Sequence, residues 1–306
     1  MNNKIDVVIP VYKPDEKLER LVEHLRKQSV KPNRIIMIHT DAGDREQIKN
    51  QYDAIETVEL HHIKKEEFDH GGTRNYGASL SDTPYILFMT QDAVPVDTHL
   101  IEEILKPFED KSVATVYGRQ LANSNAGAIE KYTRLFNYPA VSSIKSNKDL
   151  ERLGIKTYFC SNVCAAYRKE VYEQMGGFVL KTIFNEDMIM ASKVIQVGYS
   201  IAYSAEAKVI HSHKYTYWQQ FTRNFDLAVS QQQYKEIFSG IKSESEGIRL
   251  VKNTAGYLLK AGKFYLIPDL VLQSGFKFLG YKLGSRYESL PKKVIKTCSM
   301  NKSYWD

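Results

Sequence analysis

The sequence predicts an α/β fold: a mostly parallel sheet flanked by helices, followed by a helical C-terminal appendage. Three observations carry this. Short apolar, β-branched runs recur early, at residues 5–12 (IDVVIPVY), 34–39 (RIIMIH), 57–63 and 85–89 (YILFM). Runs apolar on both faces fit parallel strands covered by helices on both sides. Stretches with helical spacing lie between them, the arrangement of βαβ units. From Thr216 onward the pattern is helical. This divides the chain into a sheet domain over 1–225 and a helical region over 226–306.

The elements follow in order. Residues 15–28 place Leu18, Leu21, Val22 and Leu25 on one helix face, with Asp15 as N-cap. A helix begins at Asp44. Residues 70–79 (HGGTRNYGAS) read as a Gly-rich turn that opens a helix. The organising stretch is 85–95, YILFMTQDAVP: a buried strand that delivers one carboxylate, Asp92, to the carboxyl edge of the sheet, where open α/β sheets bind ligands. A helix over 100–108 and a strand over 112–119 come next. Residues 126–148 hold a helix and a loop. A strand over 159–167, a short helix over 168–175 and a Gly176-Gly177 turn precede a helix over 185–196, which opens with Glu186-Asp187 and ends at Gly198. Residues 199–210 are extended, and 247–259 and 265–279 are helical.

Composition narrows the function. The chain has 306 residues, 43% hydrophobic and 25% charged, which supports a packed core. The net charge of +6 suits anionic partners such as phosphates or anionic lipid, and the lysines gather from Lys252 onward. No nucleic-acid reading motif accompanies them, so a nucleic-acid partner is not expected. Cys160, Cys164 and Cys298 are too scattered for a disulfide framework and lack a His/Cys cluster for zinc. The N-terminus runs straight into a strand, and no apolar run approaches the ~18–20 residues that span a bilayer. The expected location is the cytoplasm, or peripheral on a membrane surface.

Four constellations carry candidate chemistry. Asp41 and Asp44 follow the second strand, where a carboxylate can bind a base or ribose or simply cap a turn and a helix. In FDHGGTRNYG, Gly72, Arg74 and Asn75 combine close backbone approach, a planar cation and an amide, which fits phosphate or nucleotide contact beyond the needs of a turn. Thr90-Gln91-Asp92 offers a carboxylate to a hard cation such as Mg²⁺ or Mn²⁺, with His211 and His213 as further ligand candidates. Asn185-Glu186-Asp187 places acids at a helix start. There they can serve as a general base, or only complement the helix dipole. Downstream, Arg223 could balance a leaving diphosphate or remain a surface cation.

The order VVIPVY, FDHGGTRNYGA, MTQDAVP, a Glu-Asp helix start, then HSHKYT and QQFTRNFD resembles the inverting glycosyltransferases of family 2, with the GT-A fold. More narrowly it is similar to bacterial rhamnosyltransferases of cell-wall or capsular polysaccharide synthesis. The resemblance covers roughly residues 4–230. It implies a base pocket at Pro10 and Tyr12, with Asp41 near the base or ribose. It implies donor contacts from Gly72, Arg74, Asn75 and Gln91, and a divalent cation, Mn²⁺ or Mg²⁺, on Asp92 and His211. Thr90 stands where the family has a first metal-binding acid. Asp187 matches the catalytic base, with Glu186 beside it. Gln220, Arg223 and His213 fall on the acceptor or diphosphate side.

The implied reaction is transfer of a sugar, L-rhamnose from dTDP-β-L-rhamnose, to a polyprenyl-diphosphate-linked saccharide. A UDP-sugar donor and a non-catalytic glycan-binding role are the alternatives. A nucleotidyltransferase would need a Gly-rich loop after the first strand, and Tyr12-Lys13-Pro14-Asp15 has none. The lysine- and aromatic-rich tail fits helices that lie on the inner face of the membrane, or that pack on a core or on a second copy in a homodimer.

Overall fold

The computed structural model describes residues 4–239 and 244–306. Among the described residues, nine strands run β1 Ile5–Tyr12, β2 Ile35–Thr40, β3 Val58–Ile63, β4 Tyr85–Met89, β5 Val94–Pro95, β6 Val113–Leu121, β7 Ser143–Lys145, β8 Cys164–Arg168 and β9 Ser200–Ile210. The helices are α1 Glu16–Arg26, α2 Arg45–Tyr52, α3 His70–Ser79, α4 Leu100–Leu105, α5 Ala128–Asn137, α6 Leu150–Leu153, α7 Lys169–Gln174, α8 Glu186–Gln196, α9 Tyr217–Gln233, α10 Lys235–Phe238, α11 Glu244–Lys260, α12 Ile267–Gly284 and α13 Lys292–Cys298. The chain forms two compact units. The first comprises residues 1–121, 138–180 and 186–211, and the second 122–137, 181–185 and 212–306. The helical unit therefore draws on three stretches of sequence.

The first unit is built on one sheet, in the order β3-β2-β1-β4-β8-β6-β9-β5, with β7 also on β9. Strands β3, β2, β1 and β4 are mutually parallel, as are β6 and β9. β8 runs antiparallel between β4 and β6, so its first residues lie at the edge where β4 and β6 end. The apolar runs explain the core. β2 and β4 are buried throughout, and α1 covers the sheet with Leu18, Leu21, Val22 and Leu25. Each such side chain contributes about 1.5–3 kcal/mol by leaving water. Asp15 caps α1, accepting from the Lys17 N–H at 3.0 Å.

Charge is also buried at the amino edge of the parallel strands. Asp6, fully buried in β1, accepts from Asn33 Nδ2 at 2.9 Å and Arg34 Nη2 at 3.2 Å, while its own N–H donates to Thr83 Oγ1 at 3.0 Å. Arg34 also reaches Glu59 at 2.7 Å and the Leu80 carbonyl at 2.6 Å.

Two stretches differ from the sequence expectation. Residues 70–79 are not a turn leading into a helix: all ten residues form α3. The strand expected over 159–167 begins only at Cys164 and runs to Arg168, because the Cys164 N–H closes a turn on the Ser161 carbonyl at 3.1 Å, after residues 154–158 have wound into a 3₁₀ turn. The buried Lys145 ammonium holds that turn through the Lys156 carbonyl at 3.0 Å and the Phe159 carbonyl.

The second unit is helical. Thr216 caps α9 in a reciprocal box with Gln219. α9 and α12 cross closely: a Cβ on Gly280 would come within 2.2 Å of the Phe221 carbonyl oxygen, and one on Gly284 within 2.3 Å of that of Phe225. Phe221, Phe225 and Val229 join Ile183, Ile295 and Cys298 in its core. Tyr132 of α5 stacks on Tyr257 of α11 with ring centroids 4.7 Å apart. Among the described residues, no helix is long and apolar enough to cross a membrane.

Candidate active site

The carboxyl ends of β1, β4, β6 and β9 and the beginning of β8 meet at one edge of the first unit's sheet. The turn after β4 is fixed by backbone: the Thr90 N–H donates to the Val163 carbonyl at 3.2 Å, and the Ala93 N–H to the Thr90 carbonyl at 3.1 Å. Gln91 ties this turn to β1. Its Oε1 accepts from the Tyr12 N–H at 2.8 Å and its Nε2 donates to the Tyr12 carbonyl at 3.0 Å. Asp92 is thereby held beside the end of β9, where His211 Nε2 lies 3.6 Å from its Oδ2. His211 is buried, and its N–H donates to the Leu121 carbonyl at 3.0 Å.

The second feature is the acid pair that opens α8. The Asn162 N–H donates to Asp187 Oδ2 at 3.1 Å, and the Met188 N–H to Oδ1 at 2.8 Å. Glu186 accepts from Asn162 Nδ2 at 3.4 Å and pairs with Arg74 at 3.3 Å. Burial works against the Glu186 charge, but Arg74 and then His70 more than offset it and hold this carboxyl below its ordinary range. Asp187 moves the other way. Burial first, and the neighbouring Glu186 charge second, raise its affinity for a proton. Two adjacent acids pushed in opposite directions are a pattern of acid–base sites.

Several residues expected at the donor also make contacts within the protein. The Gly72 N–H donates to the capping carboxylate of Asp69 at 2.6 Å, so the Gly-rich stretch begins as a capped helix. Its other glycines serve packing: a Cβ on Gly71 would lie 2.0 Å from the Val179 carbonyl oxygen, and one on Gly77 2.3 Å from Val8 Cγ1. Arg74, expected at the nucleotide, turns inward to Glu186 and to the His70 carbonyl at 2.8 Å. The Asn75 amide holds Phe178, accepting from its N–H and donating to its carbonyl, both at 2.9 Å. Asp41 closes a short turn by accepting from the Gly43 N–H at 2.8 Å. Pro10 is half-buried and the Tyr12 ring is exposed at the end of β1. His213, Gln220 and Arg223 belong to the second unit, where the Arg223 guanidinium packs over the rings of Phe184 at 4.7 Å and Tyr215 at 5.7 Å.

Two residues of the site were not singled out by sequence reasoning. Asn162 orients both acids, and Gln120 Oε1 lies 3.0 Å from His211 Nδ1. The available signal was a polar residue inside an apolar strand pattern, in VATVYGRQL and in FCSNVCAAY.

A carboxylate and an imidazole in this arrangement suit a borderline cation such as Mn²⁺. Residues 6–176, more than half of the chain, match the family described as Glycosyl transferase family 2. The chain belongs to glycosyl transferase family 2. Two family relatives are similar over nearly their full length. The O-antigen chain rhamnosyltransferase RfbN of Salmonella typhimurium is 40% identical over 307 residues, covering 99% of this chain and 96% of the relative. The O-antigen chain rhamnosyltransferase WbaN of Salmonella anatum is 44% identical over 286 residues, covering 92% and 89%. Among solved structures, the mannosyltransferase PcManGT from Pyrobaculum calidifontis, in complex with GDP-Man and Mn²⁺, has a TM-score of 0.65 at 12% identity. That match covers 94% of this chain and 88% of its own. TarS of S. aureus, residues 1–349 with UDP-GlcNAc, has a TM-score of 0.55 at 12% identity, covering 93% and 91%. These likenesses establish the GT-A glycosyltransferase fold for the family 2 chain.

Proposed function

We propose that this family 2 enzyme is an inverting rhamnosyltransferase of bacterial surface polysaccharide synthesis. Its donor is dTDP-β-L-rhamnose and its acceptor a polyprenyl-diphosphate-linked saccharide. The observation that carries the substrate class is the 40–44% identity, over nearly the whole chain, to two relatives named O-antigen chain rhamnosyltransferases.

The chemistry is a single displacement. Asp187 accepts the proton of the acceptor hydroxyl while that oxygen bonds to the anomeric carbon. The bond from that carbon to the donor diphosphate breaks on the opposite face, and a β-linked donor yields an α-L-rhamnoside. The Asn162 and Met188 N–H groups orient the carboxylate, and burial, with the Glu186 charge second, keeps its proton affinity high. Asp92 and His211 are the residues that would hold Mn²⁺ or Mg²⁺. Such an ion, when bound, supplies positive charge to the leaving diphosphate. Pro10, Tyr12 and Asp41 keep the base and ribose contacts that the family order gives them. His213, Gln220 and Arg223 keep the acceptor or diphosphate role.

The helical unit supports placement on the inner membrane face. Phe264, Tyr265, Val271, Leu272, Phe278 and Leu279 are large apolar side chains left exposed. Lys260 and Lys263 border them in sequence, the mixture that anionic bilayers retain. The full chain should float with vesicles containing anionic phospholipid, and Phe264→Ser with Leu272→Ser should reduce that fraction. Equal flotation of wild type and variant would remove the membrane role.

The test of function is incubation with dTDP-β-L-rhamnose, a polyprenyl-diphosphate-linked glycan and Mn²⁺, with the product linkage read by NMR. An α-L-rhamnoside is expected. Failure of every dTDP compound to stabilise the protein or to be consumed, alongside turnover of a UDP-sugar, would overturn the donor assignment.

A further inference from the structure

Gln120 is 2% exposed. It sits in β6, paired with Val209 of β9, so its backbone is fixed two residues from His211 across the ladder. A buried primary amide needs an acceptor for its N–H groups and a donor for its oxygen. Gln120 Nε2 donates to Ser161 Oγ at 3.0 Å, and Oε1 faces His211 Nδ1 at 3.0 Å. An amide oxygen can only accept, so the proton between them belongs to Nδ1. The second nitrogen, Nε2, then presents its lone pair toward Asp92, 3.6 Å from Oδ2. That separation exceeds a good hydrogen bond. It suits two ligands that flank one ion.

We propose that Gln120 is the positioning residue of the cation site: it fixes the His211 imidazole as the Nδ1–H tautomer and aims Nε2 at the space shared with Asp92. This rests on the reading of Asp92 and His211 as cation ligands. Partners that orient a ligating imidazole typically tune metal affinity 10–100-fold. The same chain of contacts reaches the acids, because Ser161, which accepts from Gln120, precedes Asn162, which holds Asp187 and Glu186. Two consecutive residues, Ser161 and Asn162, thus lie between the cation ligands and the acid pair.

Two measurements test this. In metal-free protein labelled with ¹⁵N-histidine, a long-range ¹H–¹⁵N spectrum should report His211 as Nδ1–H in the wild type, with that preference lost in Gln120→Met. An Nε2–H tautomer in the wild type would overturn the proposal. Mn²⁺ binding is then followed by EPR. Gln120→Met, of similar length and without the acceptor, should weaken Mn²⁺ by about 10–100-fold. Gln120→Glu, which still accepts from Nδ1–H, should bind Mn²⁺ more tightly than Gln120→Met on the same argument. Unchanged affinity in Gln120→Met, or an equal loss in both folded variants, would sink the assignment. Absence of Mn²⁺ binding by the wild type would overturn the cation reading itself, while the imidazole spectrum would still decide whether Gln120 sets the tautomer.

Discussion

At the amino edge of the parallel strands, Asp6, Asn33, Arg34, Glu59 and Thr83 form a network in which each charge meets an opposite charge or a donor. At the carboxyl edge, Glu186 pairs directly with Arg74, whereas its neighbour Asp187 is held by two backbone N–H groups, and its burial and the Glu186 charge outweigh them and the more distant pull of Arg74. Both edges remove carboxylates from water. The first completes their solvation with protein groups, so its charges serve stability. The second leaves one carboxylate under-compensated, so its proton affinity rises into the range useful for catalysis. In this chain the paired charges and the proposed reactive acid therefore lie at opposite edges of one sheet.

The sharpest way to break this comparison is Asp187→Asn. Transfer should fall about 10²–10⁴-fold, since the proposed general base is lost, while dTDP binding by calorimetry persists. Stability should move the other way. The folded pKa of Asp187 is raised, so its charged form opposes folding above the ordinary carboxylate range. The variant should be more stable than wild type at pH 8, with the difference vanishing near pH 4. A variant that is inactive and also less stable at pH 8 would place Asp187 with the structural edge.

The reciprocal change, Arg34→Met, leaves Asp6 buried with a single side-chain donor. Loss of one partner of a buried pair costs about 3 kcal/mol or more, read as a lower midpoint in urea. The turnover number per folded molecule should be unchanged. A matching loss of turnover would mean that the two edges are not independent.

The smallest effect sharpens the carboxyl edge. In wild type, transfer should increase with pH as Asp187 loses its proton, with a midpoint raised above the ordinary carboxylate range by burial and then by the Glu186 charge. Glu186→Gln keeps an oxygen for Arg74 and Asn162 but removes the negative neighbour, so that midpoint should move downward. An unmoved pH profile would exclude Glu186 as the tuning charge.

Much of this was legible in the sequence where local pattern governs. β1, β2 and β4 are continuous apolar runs, α1 has a clean stripe and an Asp cap, and Glu186-Asp187 sits at a helix start as expected. The misreadings arose where tertiary contact overrides propensity. A double glycine costs a helix about 1 kcal/mol per residue relative to alanine. Yet at Gly71 the neighbouring carbonyl leaves no room for a side chain, so packing decides. The antiparallel insertion of β8 and the recruitment of residues 122–137 and 181–185 to the helical unit depend on partners distant in sequence. Gln120 and Asn162 carry no motif, because their importance lies in what they face.

The two-way grip of Gln91 on Tyr12 has a consequence for which side chains position 91 of this chain can carry. β1 and β4 pair as backbones up to Val8 and Phe88. Beyond that a side-chain amide imitates a peptide unit, offering one donor and one acceptor to the facing residue. Glutamate would set a carboxylate against a carbonyl oxygen, and lysine would have nothing to accept the N–H. Asparagine would fall one methylene short. A position that looks like an ordinary polar turn residue is thus nearly as restricted as a glycine in a tight turn. Drift there should register as loosened placement of the adjacent carboxylate before any loss of fold.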